Sequence, residues 1–182
     1  MNGKLKLGLV ALIVLVGLFF INKKNQASYS SNSTNLFSIS KDDVKKILIQ
    51  ANQEALELVR NDSTWSISGN DTLTVKERSI SQFFDKVLNI KLETLMTTKQ
   101  EKWATYNVSD SLGIHLALVG WNDQTIGYLV FGRSNSDYAR CYVRRENSSD
   151  VYLTSENVVY SLQTSPTYWG EEKLVEQIPE NF

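Results

Sequence analysis

Tyr138, Arg140, Tyr142 and Arg144 stand at every second position of one run. In a strand, alternate side chains share a face. Two phenols and two guanidiniums are therefore expected side by side on one surface. Guanidinium and ring attract one another through the ring quadrupole, and both types are enriched where proteins recognise each other. These four residues form the candidate interaction face; the plainer reading is a solvated sheet face. Other chemistry-bearing residues are few. His115 is the single histidine and Cys141 the single cysteine. A metal centre of nitrogen and sulfur ligands needs several of them converging, and neither residue has a companion of its kind. His115 alternates with Ile114, Leu116 and Leu118, as a structural strand histidine does. Cys141 runs in phase with Ala139 and Val143 and reads as a small buried apolar residue. Asp42 and Asp43 follow Ser40, and acids in a first helical turn explain them. The chain has no Gly-x-Ser-x-Gly elbow. Gly127 and Gly132 flank a strand without the spacing of a phosphate loop. The expectation is a protein without catalytic residues, metal or cofactor, and not an enzyme.

The surrounding chain bounds where such a face could work. Residues 7–21 read LGLVALIVLVGLFFI, with Lys4 and Lys6 before and Lys23 and Lys24 after. As a helix at about 1.5 Å per residue this run spans ~23 Å, against a bilayer core of ~30 Å. Lysine snorkelling closes most of the difference. A cleaved signal would want small residues at two positions spaced by one. Asn25-Gln26-Ala27 fails at its first position, and Ser28-Tyr29-Ser30 lies beyond a lysine pair. The reading is a retained single-pass anchor, residues 1–24, with the bulk of the chain on the exported side of the cell membrane. Residues 25–35, NQASYSSNSTN, form a flexible linker of ~18 Å average reach. Residues 36–182 form one exported domain.

Composition narrows the partners. Setting aside the four lysines up to Lys24 leaves 15 of the 19 basic residues against all 20 acidic ones, about −5. An acidic domain is a poor binder of nucleic acid. A hydrophobic content of 42% is that of a globular domain. One cysteine excludes an intrachain disulfide and with it the disulfide-scaffold class. Asn-x-Ser/Thr triplets at Asn32, Asn61, Asn70, Asn107 and Asn147 read as chance in an Asn- and Ser-rich chain.

The elements that must position these residues follow from periodicity. A short capped helix is expected over residues 41–46, then strands at 47–50, 55–60 and 64–68. Thr74 and Glu77 suggest a capping box. Ile80, Phe83, Phe84, Val87 and Leu88 make one apolar helical stripe. Residues 91–106 read as a strand and a helical turn near Trp103. Strands follow at 114–119, 125–131, 138–145 and 151–154, joined by short connectors that imply antiparallel hairpins. A closing helix is expected over residues 155–162, with Val158, Val159 and Leu162 inward. Beyond Ser165, Pro166, Tyr168, Trp169, Leu174 and Ile178 are docking contacts of a tail. The predicted fold class is α+β: antiparallel sheet with amphipathic helices on one face, two similar β-meander-helix halves, plus one N-terminal transmembrane helix.

Several stretches together carry a resemblance. They are ALELVRNDSTWSI, SISQFFDKVLNIKLE, the Tyr106-Asn107-Val108 segment, and LVFGRSNSDYARCYVRRENSSDVYLTSENVVYSL. Residues 37–174 resemble the bacterial domain of unknown function 4340 family, with residues 129–154 the most specific piece. The resemblance implies one N-terminal membrane segment and a genomic setting beside ABC-type transporter components, including those resembling gliding-motility auxiliary proteins. It implies no catalytic residues. The leading expectation is a membrane-anchored, non-enzymatic accessory or interaction domain of a bacterial cell-envelope complex, with transporter subunits as candidate partners. The alternative is an envelope binding module for a glycan, peptide or lipid.

Overall fold

Alternation of apolar residues in two neighbouring segments builds the middle of the molecule. In the computed structural model, which describes residues 34–173, Ile47 lies opposite Leu58 and Leu118, and Ile49 opposite Leu56 and Leu116. All these side chains are buried. They belong to β2 (Val44–Ala51), β3 (Glu54–Asn61) and β7 (Ile114–Gly120). The turn between β2 and β3 has Asn52 and Gln53 both at positive φ, 51° and 69°. That backbone matches the right-handed twist of the two strands.

The remaining strands extend this nucleus on both sides. They are β1 (Thr34–Asn35), β4 (Thr64–Ile67), β5 (Leu73–Val75), β6 (Lys91–Thr97), β8 (Thr125–Arg133), β9 (Cys141–Arg145), β10 (Val151–Thr154) and β11 (Gly170–Glu172). Nine of the strands make one sheet in the order β1-β6-β10-β9-β8-β7-β2-β3-β4, and β11 pairs with β5 apart from it. Every pairing is antiparallel. β2 and β7 pair, so the strands of the two expected halves run together in one sheet.

The expected α+β class is corrected by this architecture, which is predominantly antiparallel sheet with little helix packing. Among the described residues one helix of length is present, α1 (Glu77–Val87). Ile80, Phe83, Phe84 and Val87 are buried along its stripe as the periodicity predicts. The closing helix at 155–162 reduces to a 3-10 turn, Val159–Ser161, although Val158, Val159 and Leu162 are buried as expected. The helix at 41–46 is likewise a 3-10 turn, Lys41–Asp43. Its predicted serine cap is present: Ser40 Oγ accepts from the Asp42 N–H at 3.3 Å, and the Asp43 carboxylate accepts from the Ser40 N–H at 2.8 Å. Strand pairing with β3 and β7 captures Val44 onward, which ends the helical turn.

The start of α1 also differs. Thr74 lies in β5 opposite Glu171 and does not cap the helix. Lys76 takes the cap position without a side-chain bond. Its N–H donates to the Trp169 carbonyl at 2.8 Å. Trp169 closes α2 (Pro166–Trp169) and is fully buried. Its ring lies 5.7 Å from Phe83, edge to face, and its indole N–H donates to the Gln163 carbonyl at 2.7 Å. The segment read as a tail is therefore part of the core.

The expected membrane anchor at 1–24, most of the linker, and Leu174 and Ile178 lie outside the described residues. Among the described residues, no helix is long and apolar enough to cross a membrane.

Candidate functional site

The sheet has two faces, and they are covered differently. α1, α2 and the 3-10 turn at 159–161 bury the face bearing Leu116, Leu118, Leu129, Phe131, Cys141 and Val143. The other face carries His115, Tyr128, Val130, Tyr142 and Arg144. A segment running from a 3-10 helix, Gln100–Tyr106, to Gly113 lies over part of it. Val108 is buried there against Val130 and Val151, with Trp103, Tyr106, Tyr128 and Tyr142 packed around. Two glycines permit this approach. A Cβ at Gly132 would collide with the Tyr106 carbonyl oxygen, and one at Gly113 with Val130.

This cover decides the fate of the predicted interaction face. Tyr142 and Arg144 lie on β9 and do share a face. Arg144 is only 4% exposed. Its Nε donates to the Val108 carbonyl at 2.6 Å, its Nη2 donates to the Asp110 carboxylate, and its guanidinium sits 3.8 Å from the Trp103 ring centroid. The Tyr142 ring meets Tyr106 edge to face at 4.9 Å. Both residues hold the covering segment down. Tyr138 and Arg140 precede the strand, which begins at Cys141 rather than 138. The structure thus divides the four residues into an internal pair and a surface pair.

The surface pair stands on a braced turn. Ser134 Oγ accepts from the Asp137 N–H at 3.0 Å. The Asp137 carboxylate accepts from the Ala139 N–H at 3.0 Å and from Arg140 Nε at 2.6 Å. Arg140 Nη1 also donates to Glu93 of β6 at 3.2 Å. The hydrogen bond from Arg140 holds the Asp137 carboxyl below its usual value of 3.8. Asn157 donates to the Tyr138 carbonyl at 3.0 Å. On this base the Tyr138 side chain is 77% exposed. The sequence carried the tyrosine and arginine but not the bracing, since Glu93 and Asn157 come from distant strands and loops.

His115 has both ring nitrogens engaged. Nε2 lies 3.0 Å from the Asp110 carbonyl oxygen and Nδ1 2.7 Å from the Tyr128 hydroxyl. A carbonyl can only accept, so in the neutral ring Nε2 donates and Nδ1 accepts from the phenol. Burial raises the Tyr128 hydroxyl above its usual 10.0, which keeps that proton in place. Among the described residues no carboxylate oxygen takes part. Cys141 is buried, with burial pushing its thiol above 9.0, and its sulfur lies 3.2 Å from Thr154 Oγ1. Among the described residues no cluster of His, Cys, Asp or Glu could hold a metal ion.

A groove of about 500 Å³ opens elsewhere, between α1 and the β3–β4 hairpin. Trp65, Ile80 and Phe84 form its floor and Lys41, Asp42, Arg60, Ser63, Glu77, Ser81 and Asp85 its rim. The Trp65 and Phe84 rings lie 5.9 Å apart. The sequence signalled the apolar stripe of α1 but not that Trp65 would stop short of covering it.

No curated protein matches the chain, and no solved structure matches it. A family model, described as domain of unknown function (DUF4340), matches residues 65–182. That span covers most of the chain, from Trp65 through α1, the covering segment and the braced turn, and the protein belongs to the DUF4340 family.

Proposed function

We propose that the protein is a non-enzymatic interaction domain of a bacterial cell-envelope complex, working at the cell membrane with its folded part on the exported side. A second envelope protein, of the ABC-type transporter class, docks on the Tyr138 turn. The observation that carries this reading is Tyr138 itself: an aromatic side chain 77% exposed on a turn fixed by Asp137, Arg140, Glu93 and Asn157. Tyrosine supplies large contact area with few torsions to freeze, and a rigid base lowers the ordering cost of binding. Such aromatics are typical anchors of interfaces. The apolar run at residues 7–21 supports the membrane location.

Co-purification from native membranes tests the reading. Tyr138→Ser removes the ring and leaves every bracing bond in place. Loss of the co-purifying envelope protein, with an unchanged melting temperature, is the expected result. Recovery of that partner at wild-type yield would end the assignment.

A further inference from the structure

We infer that the groove between α1 and the β3–β4 hairpin binds a basic side chain, arginine or lysine, presented by an extended segment of a partner protein. This site is separate from the Tyr138 turn and does not depend on it. The argument begins with charges and which of them are already used. Arg60 is engaged: its Nε donates to the Asp62 carbonyl at 3.0 Å, its Nη1 lies 3.6 Å from the Asp42 carboxylate, and its guanidinium sits 5.9 Å from the Trp121 ring centroid. Trp121 in turn donates its indole N–H to the Asp42 carbonyl at 2.9 Å. Arg60 and Asp42 therefore cancel one another at one end of the groove.

Glu77 and Asp85 have no such partner. Neither forms an ion pair among the described residues. They stand with Ser81 at i, i+4 and i+8, a single row along α1, so the two carboxylates lie ~12 Å apart at ~1.5 Å per residue. Lys41 is the remaining cation among the described residues that line the groove. Unpaired acids thus exceed unpaired bases, two to one, over an aromatic floor. A cation over Trp65 meets an aromatic ring, in a groove whose α1 wall carries the two carboxylates. Both attractions favour positive charge, and an anion would meet repulsion from both. Arginine fits best because its planar group can stack on Trp65 while its fork faces a carboxylate. The volume suits a side chain with its flanking backbone.

The test uses the full-length protein in detergent and two blocked peptides, tetra-arginine and tetra-glutamate, followed by calorimetry. Tetra-arginine is expected to bind saturably and tetra-glutamate not at all. Glu77→Gln with Asp85→Asn, at two exposed positions, should weaken binding about tenfold, since each exposed ion pair contributes up to ~1 kcal/mol. Glu171→Gln with Glu172→Gln removes the same charge from β11, outside the groove, and should leave affinity unchanged. Equal weakening by both pairs would mean that the peptide senses only overall negative charge, and the proposal fails. It fails also if tetra-arginine does not bind, if tetra-glutamate binds as tightly, or if the groove variant binds like wild type. Tyr138→Ser should leave this binding unaltered, so loss of the envelope partner and loss of the peptide are separate results.

Discussion

Asp110 looks like a residue of no consequence, with its side chain 81% exposed. Its substitution should nevertheless cost as much as a change in the core. The carboxylate is the counter-charge of Arg144, whose side chain is 4% exposed. Changing Asp110 to Ala strands a guanidinium that cannot reach bulk water without lifting the covering segment. A hydrogen bond to a charged group contributes about 1.5–3 kcal/mol. The two remaining contacts, to the Val108 carbonyl and the Trp103 face, keep Arg144 from becoming wholly uncompensated. The expected loss is therefore about 2 kcal/mol, against ~0.5 kcal/mol or less for an ordinary surface change. Urea unfolding of the full-length protein, read by tryptophan fluorescence, measures it. A double variant with Arg144→Met as well removes the stranded charge and should cost clearly less than the sum of the two single changes. A cost below ~0.5 kcal/mol for Asp110→Ala, or strict additivity in the double variant, would refute the view that this pair fastens residues 100–113 to the sheet.

Trp169→Ala should lose about 3–5 kcal/mol, because a fully buried ring against Phe83 and a hydrogen bond to Gln163 go together; an unaltered denaturation midpoint would show that the C-terminal segment is not part of the core. Cys141 should stay unreactive toward a thiol reagent at pH 8 in the folded protein and react fully in 6 M denaturant, since burial favours the protonated thiol. Fast labelling under native conditions would contradict that burial.

The sequence was legible where one periodicity ruled. Ile80, Phe83, Phe84 and Val87 on α1, and the alternation of Ile114, Leu116 and Leu118, required no knowledge of the rest of the chain. Reading failed where distant partners decide. Residues 155–162 have an apolar pattern that suits a helix, but Thr154 Oγ1 at the end of β10 donates to the Glu156 carbonyl at 2.7 Å, which ties the start of that segment to the sheet, and the helical part shrinks to a 3-10 turn. Thr74 had the spacing of a cap and was claimed by β11 instead. For the candidate face, alternation placed Tyr142 and Arg144 on one side of β9, yet nothing local to that strand says that Trp103 and Asp110 will come down on top of it. The groove was invisible for the same reason, being a gap between elements rather than a property of any one.

The pairing of β5 with β11, and of Phe83 with Trp169, sets an order in time. α1 emerges early from the ribosome, and the ring that backs it emerges only after the whole sheet has been made. At about 5–20 residues per second, the stripe of Ile80, Phe83 and Phe84 waits about 4–17 s for that cover. Every strand of the large sheet is available before β11 and Trp169 arrive, yet the core beneath α1 is incomplete until they do. A chain that ends before Trp169 leaves Phe83 without the ring that packs against its edge and β5 without the strand that pairs with it.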